Sequence, residues 1–292
     1  MSNSAKVRKK VLAASSKSTI ERSWLARIAA CPHILWSVLF IIAPLMFVAY
    51  FAFTDSAGNF TFENITNLTN YGETFMLSVF FSLIATVVCI IIGYPLAYFI
   101  ARLKPRKQKL FILLLMLPMW ISLLIRTYSL MALLDNGGIV STFLVSLGFE
   151  KLSFIGTGGA VILGMVYDYL PYMVLPIYTT ISKIDVRCIE AAADLGCNGW
   201  QTVKNVVFPL SVPGIISGVT MVFVPSISTF YISQKLGGGA FDLIGDTIER
   251  QFQNKLTYHT GAAISLVMMI LILISLAVMN RFSDNDGGEI IV

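Results

Sequence analysis

Charge and histidine are what this chain has least of. Only 13% of its 292 residues are Asp, Glu, Lys or Arg, and its two histidines are His33 and His259. A soluble domain of this length needs far more polar surface to meet water. Neither histidine has a ligand set beside it, and Cys31, Cys89, Cys188 and Cys197 show no metal-binding spacing, so no metal site is expected. No nucleophile and base stand at a meaningful spacing, which leaves a membrane enzyme without a visible site. A Gly-x-x-x-x-Gly-Lys-Ser/Thr loop is absent as well, so this chain lacks the usual cradle for ATP phosphates. Internal repeats and low-complexity tracts are also missing, and no soluble appendage is expected.

What is abundant is apolar. Hydrophobic residues make up 56% of the chain and its mean hydropathy is +0.78, which places it in a membrane. A bilayer core of roughly 30 Å needs about 20 mostly apolar residues per helix, because lipid offers no partner to backbone N–H and C=O groups. Six segments qualify: His33 to Phe53, Thr74 to Leu103, Lys109 to Leu134, Gly159 to Ile181, Ser211 to Ser233 and Thr260 to Asn280. The expected fold is an all-α polytopic membrane protein, with a six-helix domain over residues 33–282 between short tails, 1–32 and 283–292. The basic start, Lys6 to Lys10, lies far ahead of the first long apolar run, so an uncleaved anchor helix is expected rather than a removed leader. With the N-terminus inside, sixteen Lys and Arg fall in the tails, the second and fourth connections and the span ends that border them, against four in the first, third and fifth. Cytoplasmic segments retain such residues, so both termini are expected in the cytoplasm. The +5 net charge then reads as topology and contact with anionic lipid, with no nucleic-acid partner.

The connections differ in kind. Ala101 to Gln108 is a short basic turn, whereas residues 182–210 are long enough to fold. Glu190 to Leu195 is rich in helix formers and should end at Gly196; Trp200 to Phe208 reads as a second short helix stopped before Pro209. Ala191, Ala192 and Ala193 allow close approach, and Trp200, Val203, Val206 and Val207 supply an apolar face. Physics alone leaves two uses open: a projection that fits a cleft on a partner, or an amphipathic helix lying on the membrane surface.

Glu190, Ala191, Ala192, Gly196 and Pro209 stand at the spacing of a cytoplasmic signature, with Val206 where Ile is usual and Phe208 where Leu is usual. Together with Leu124-Ile125-Arg126-Thr127-Tyr128, Met173 to Tyr178, Phe208 to Ile215 and Lys235 to Gly239, this resembles the permeases of binding-protein-dependent ABC importers, most of all the spermidine/putrescine permeases of the B type. The resemblance implies the type I ABC importer permease fold in a bacterial inner membrane. It also implies a second, similar permease, two ATPase subunits that use ATP and Mg, and an extracytoplasmic polyamine-binding protein. This chain would bind no cofactor. Residues 182–210 would dock on the ATPase, with Glu190 as polar anchor and Gly196 as the turn. The imported solute would be spermidine or putrescine; permeases for iron, thiosulfate or opines share the architecture, and a secondary transporter or channel is the rival outside the class.

A path for a polyamine needs carboxylates and aromatic faces. Asp168 is the obvious carboxylate, since a charge in mid-span costs about 2.5–3.5 kcal/mol on insertion scales and turns toward protein or water. Only Tyr172, at i+4, clearly shares its helix face. The third span is expected to run outward to near Leu134 and the fourth inward from near Gly159, so at 1.5 Å per residue Arg126 lies about 12 Å and Asp168 about 13 Å below the outer boundary. Three roles for Asp168 therefore stay open: an ion pair with Arg126, direct contact with a cation, or contact with the partner permease. Trp120, Phe230 and Tyr231 are further candidates for the path. Val224 to Ser228 is expected to break the fifth span, and Phe241 to Phe252 to form an amphipathic outer segment carrying Asp242, Asp246 and Glu249.

Overall fold

The computed structural model describes residues 31–55, 57–147, 153–254 and 257–284. Residues 1–30 and 285–292, which hold most of both expected tails and the basic stretch Lys6 to Lys10, lie outside the described residues. The described chain is helical, joined by turns and one isolated antiparallel bridge between Thr54 and Phe60. Besides one turn of helix over Glu63–Thr66 and a 3₁₀ stretch over Asn67–Tyr71, the helices in order are α1 (Cys31–Ala52), α2 (Gly72–Ala101), α3 (Pro105–Met116), α4 (Leu123–Leu134), α5 (Ile139–Ser146), α6 (Gly158–Ser182), α7 (Val186–Asp194), α8 (Gly199–Ser228), α9 (Tyr231–Leu236), α10 (Ile244–Gln253) and α11 (Tyr258–Asp284). Five of the described helices, α1, α2, α6, α8 and α11, are long and apolar enough to cross a membrane, and α3 with α4 make a sixth crossing if a bend of 94° between their two limbs is counted within it.

The core is a three-helix sandwich with α6 between α2 and α8. Their inner faces carry small residues one turn apart: Ser82, Ala85, Cys89, Gly93 and Ala97 on α2, and Ser211, Gly214, Gly218, Val222 and Ser226 on α8, all buried. Helices in lipid gain little from burying apolar surface, so close backbone approach and dispersion must hold them together. Met173 of α6 shows how tight this is. A methyl placed on Gly93 would come within 3.1 Å of Met173 Cγ, and one on Gly218 within 2.7 Å of its Sδ. The C-terminal helix α11 packs on α1 through Ala52, Ala262 and Ala263. Most of α1 is otherwise exposed, and the described side chains of α3 include no buried one, as befits surfaces that face lipid or another subunit.

Two spans depart from expectation. The third was expected as one helix from Lys109 to Leu134, but after α3 the chain tightens into a 3₁₀ turn over Leu117–Trp120 and runs extended through Ile121 and Ser122 before α4 begins. Pro118 is the local cause: it lacks an N–H, and its ring crowds the carbonyl of the preceding turn. Arg126 therefore sits on a short separate limb. In the fifth span neither expected interruption occurs. Trp200 to Phe208 does not stop before Pro209; a π-turn over Val203–Val207 carries the helix into Phe208–Ser228, where the missing N–H of Pro209 falls in the first turn after the widening. Nor does Val224 to Ser228 break it. The helix passes Pro225 and ends at Ser228, so the break falls at Thr229, which is extended (ψ 139°). The Pro225 carbonyl, one of the last four of the helix, accepts the Tyr169 hydroxyl at 3.4 Å.

Candidate functional site

A charged cluster lies where α4 meets α6. Arg126 Nη1 is 3.1 Å from Asp168 Oδ1, and the two side chains are 8% and 1% exposed. The same nitrogen donates to the Asp168 backbone carbonyl at 3.4 Å, and the Thr127 hydroxyl lies 3.4 Å from Asp168 Oδ2 while bonding Leu123 O at 2.9 Å. Among the described residues neither Arg126 Nε nor Asp168 Oδ1 has a hydrogen-bond partner, so the pair is a single charge contact rather than a two-point hydrogen-bonded fork. Taking both charges out of lipid and water is costly, and each is tolerable only because the other is there. The pair ties the short limb α4 to the core helix α6.

The aromatic candidates do not gather around this cluster. Tyr172 is half-buried one turn from Asp168, with its ring 6.3 Å from that of the buried Tyr169. Trp120 lies at the bend after α3 and is 73% exposed. Phe230 and Tyr231 stand just past the end of α8, and Tyr231 meets Tyr128 edge-on at 5.8 Å. Lys235 Nζ sits over both of these rings, 5.3 Å from the Tyr128 centroid and 5.7 Å from Tyr231. The sequence reading missed this ammonium on two tyrosines. Its signal was the i, i+4 spacing of Tyr231 and Lys235, but Tyr128 is brought in only by tertiary contact. Asp246 was missed in another way: it was expected on an outer surface, yet it is 4% exposed.

The second assembly is the loop between α6 and α8. Asp185 starts α7 by accepting the Arg187 N–H at 3.0 Å. The helix ends in a Schellman turn, with Cys197 N bonded to Ala192 O and Gly196 N to Ala193 O. Gly196 takes φ +83°, where a side chain is strained, so the reversal depends on glycine. Asn198 and Gln201 then form a reciprocal capping box that opens α8. Of the signature residues, Ala192 is buried while Glu190, Ala191, Gly196 and Pro209 are exposed. The expected apolar face splits: Val207 turns fully inward, and Trp200 turns out with Leu195, 75% and 85% exposed. Two large apolar side chains thus flank the turn, left uncovered by the described residues.

The family described as binding-protein-dependent transport system inner membrane component matches residues 93–285, from mid-α2 through the whole of this loop to the end of α11. The chain belongs to this family. One relative is the spermidine/putrescine transport system permease protein PotB of Haemophilus influenzae, 36% identical over 256 residues, or 84% of this chain and 90% of that protein. Among solved structures, a bacterial ABC transporter involved in the import of the acidic polysaccharide alginate matches with a TM-score of 0.73 at 19% identity, over 94% of this chain and all of that one. A structure of the bacterial alginate ABC transporter in complex with an alginate pentasaccharide-bound periplasmic protein gives 0.72 at 20%, over 91% of this chain and 96% of its own. The sandwich of α2, α6 and α8 is thus the helical core of an ABC importer permease, an inner-membrane subunit.

Proposed function

We propose that this permease is one of two membrane subunits of an importer that carries polyamines of the spermidine/putrescine class into a bacterial cell. Two separate ATPase subunits hydrolyse ATP with Mg, a binding protein delivers the cargo from outside, and this chain binds no cofactor itself. The observation that carries the reading is the turn at Gly196 with Leu195 and Trp200 uncovered beside it, in a chain whose relative is named for spermidine and putrescine transport. An exposed apolar pair on a rigid projection fits a cleft on a partner better than solvent. On this reading residues 182–210 face the cytoplasm, as do both termini. Glu190 is the polar anchor, Ala191 and Ala192 allow close approach, Gly196 sets the turn, and Pro209 starts the membrane portion of α8. Asp168, neutralised by Arg126, frames the path rather than gripping cargo, and Tyr172, Trp120, Phe230 and Tyr231 offer ring faces to a passing ammonium.

The test is reconstitution with the ATPase, the second permease and the binding protein, followed by ATP-driven uptake of labelled spermidine. Uptake that requires ATP, and fails in Gly196→Asp while ATP is still hydrolysed, is the expected result. ATP turnover stimulated only by a binding protein loaded with another solute would overturn the cargo, and uptake without any ATPase would overturn the class.

A further inference from the structure

The segment between α9 and α11 builds a groove of about 360 Å³, lined among others by Gln234, Phe241, Asp242, Asp246, Glu249 and Arg250. Small-molecule sites range over roughly 300–1,000 Å³. Three carboxylates share this groove with one guanidinium. Arg250 is spent on Asp242, which it grips at 3.2 and 2.9 Å. Among the described residues Glu249 is met by the neutral amides of Gln234 and Gln253. Asp246 receives the Leu243 N–H on Oδ2 at 3.0 Å, and the Ser233 hydroxyl, which donates to Phe230 O at 2.8 Å, lies near it; its buried Oδ1 has no hydrogen-bond partner among the described residues. Among the described residues the ion pairs are Arg126–Asp168 and Arg250–Asp242 alone, so Asp246 and Glu249 have none. The lysine next to Gln234 gives no help, because Lys235 is drawn away over Tyr128 and Tyr231.

A buried acceptor without a donor is rare and costly, and two carboxylates without a cation define what is missing. No group of three or more His, Cys, Asp or Glu among the described residues could hold a metal ion. The carboxylates therefore suit a charge carried on a larger, hydrogen-bonding group. A primary ammonium fits: it brings three N–H donors and one positive charge. Phe241, held against Phe81 with ring centroids 5.8 Å apart, adds an apolar face for an alkyl chain or a ring for the cation. Burial pushes the Asp246 carboxyl up to about 6, the direction expected of an acid still waiting for its countercharge.

We propose that this groove binds an ammonium end of a small organic polyamine, with Asp246 and Glu249 as its acceptors. The proposal rests on the polyamine reading above and places a cargo contact outside the charged cluster of α4 and α6. It is tested by titrating the assembled permease–ATPase complex, without binding protein, with spermidine in a calorimeter. Glu249→Gln should weaken binding about 3-fold or more, and Arg250→Gln, which frees Asp242, should tighten it by a similar factor. Opposite signs cannot arise from misfolding, which spares the test from relying on Asp246, a helix-capping residue. Unchanged affinity in both variants overturns the proposal, as does an effect that appears only when the binding protein is present, which would make the groove a docking surface. Spermidine uptake by the wild-type complex, reconstituted into vesicles with its binding protein, separates the two ideas: import with no groove effect removes the groove alone, and no import removes the cargo reading and the groove with it.

Discussion

Removing either partner of the Arg126–Asp168 pair leaves a bare charge among buried groups. Breaking a buried pair by deleting one side costs about 3–5 kcal/mol. Here the contact is single-pronged at 3.1 Å, and Thr127 offers Asp168 only a long secondary contact at 3.4 Å, which sets the expectation at the low end, about 3 kcal/mol, for Arg126→Met. Asp168→Asn keeps the shape but strands the guanidinium and should cost a similar amount. The double variant, Arg126→Met with Asp168→Asn, removes both charges and should recover most of the loss, giving a coupling of about 2 kcal/mol or more. Read as the temperature at which the purified protein loses its monodisperse peak, each single variant should fall by about 6–12 °C and the double by much less, on the scale of a domain this size. Additive losses would refute the pair as a stabilising unit. A fully stable Asp168→Asn that no longer transports would instead make the carboxylate a cargo contact.

Other perturbations give separate checks. Gly218→Ala should overpack the α6–α8 contact, because its methyl meets Met173 Sδ at 2.7 Å and Met173 O at 3.1 Å; a loss of about 1–3 kcal/mol is expected in the same thermal assay. Gly196→Asp should leave insertion and folding nearly intact, since a Cβ there meets nothing within 4 Å and the strain is about 1–2 kcal/mol, while transport is lost; normal uptake would refute a docking role for the turn. Trp200→Ala, at a 75% exposed position, should leave stability unchanged and weaken co-purification with the ATPase. Asp246 titrates near 6 in the folded chain against an ordinary 3.8, because burial disfavours its charge. The folded state then holds the proton more tightly, so its stabilising share is present below about pH 4 and is lost as pH rises to about 6. Hydrogen exchange of the α10 amides should quicken over that window and flatten in Asp246→Asn; an unchanged profile in the variant would refute the assignment.

Much of this was legible because membranes reward simple signals. Apolar runs of spanning length located α1, α2, α6 and α11, and helix formers ending at Gly196 located α7. Proline was where reading by residue type failed. Pro118 coincides with a sharp bend, whereas Pro225 sits inside a continuous helix, and its own carbonyl, left open by the nearby helix end, meets the Tyr169 hydroxyl. Nothing near either residue in sequence tells these outcomes apart; the partner is supplied by another helix. The nearness of Arg126 and Asp168 followed from comparing their depths, because the residues from Arg126 to Leu134 do lie on one helix, α4, even though the span below it is bent. Asp246 was unreadable for a related reason: its burial comes from the packing of α10, and its role as cap of its own helix gives no hint of which way the groove opens.

The unbroken run of α8 has a mechanical meaning. Thirty residues of helix make a rod about 45 Å long, with the exposed Trp200 at one tip and the Tyr169–Pro225 contact near the other. Had the chain stopped before Pro209, a push on the loop would have been absorbed by a joint. As it stands, a tilt of about 5° about one end sweeps the other through about 4 Å, the scale of a whole side chain. The π-turn is a soft point that lies close to the tip where force would enter, so most of the length beyond it is left to amplify a tilt.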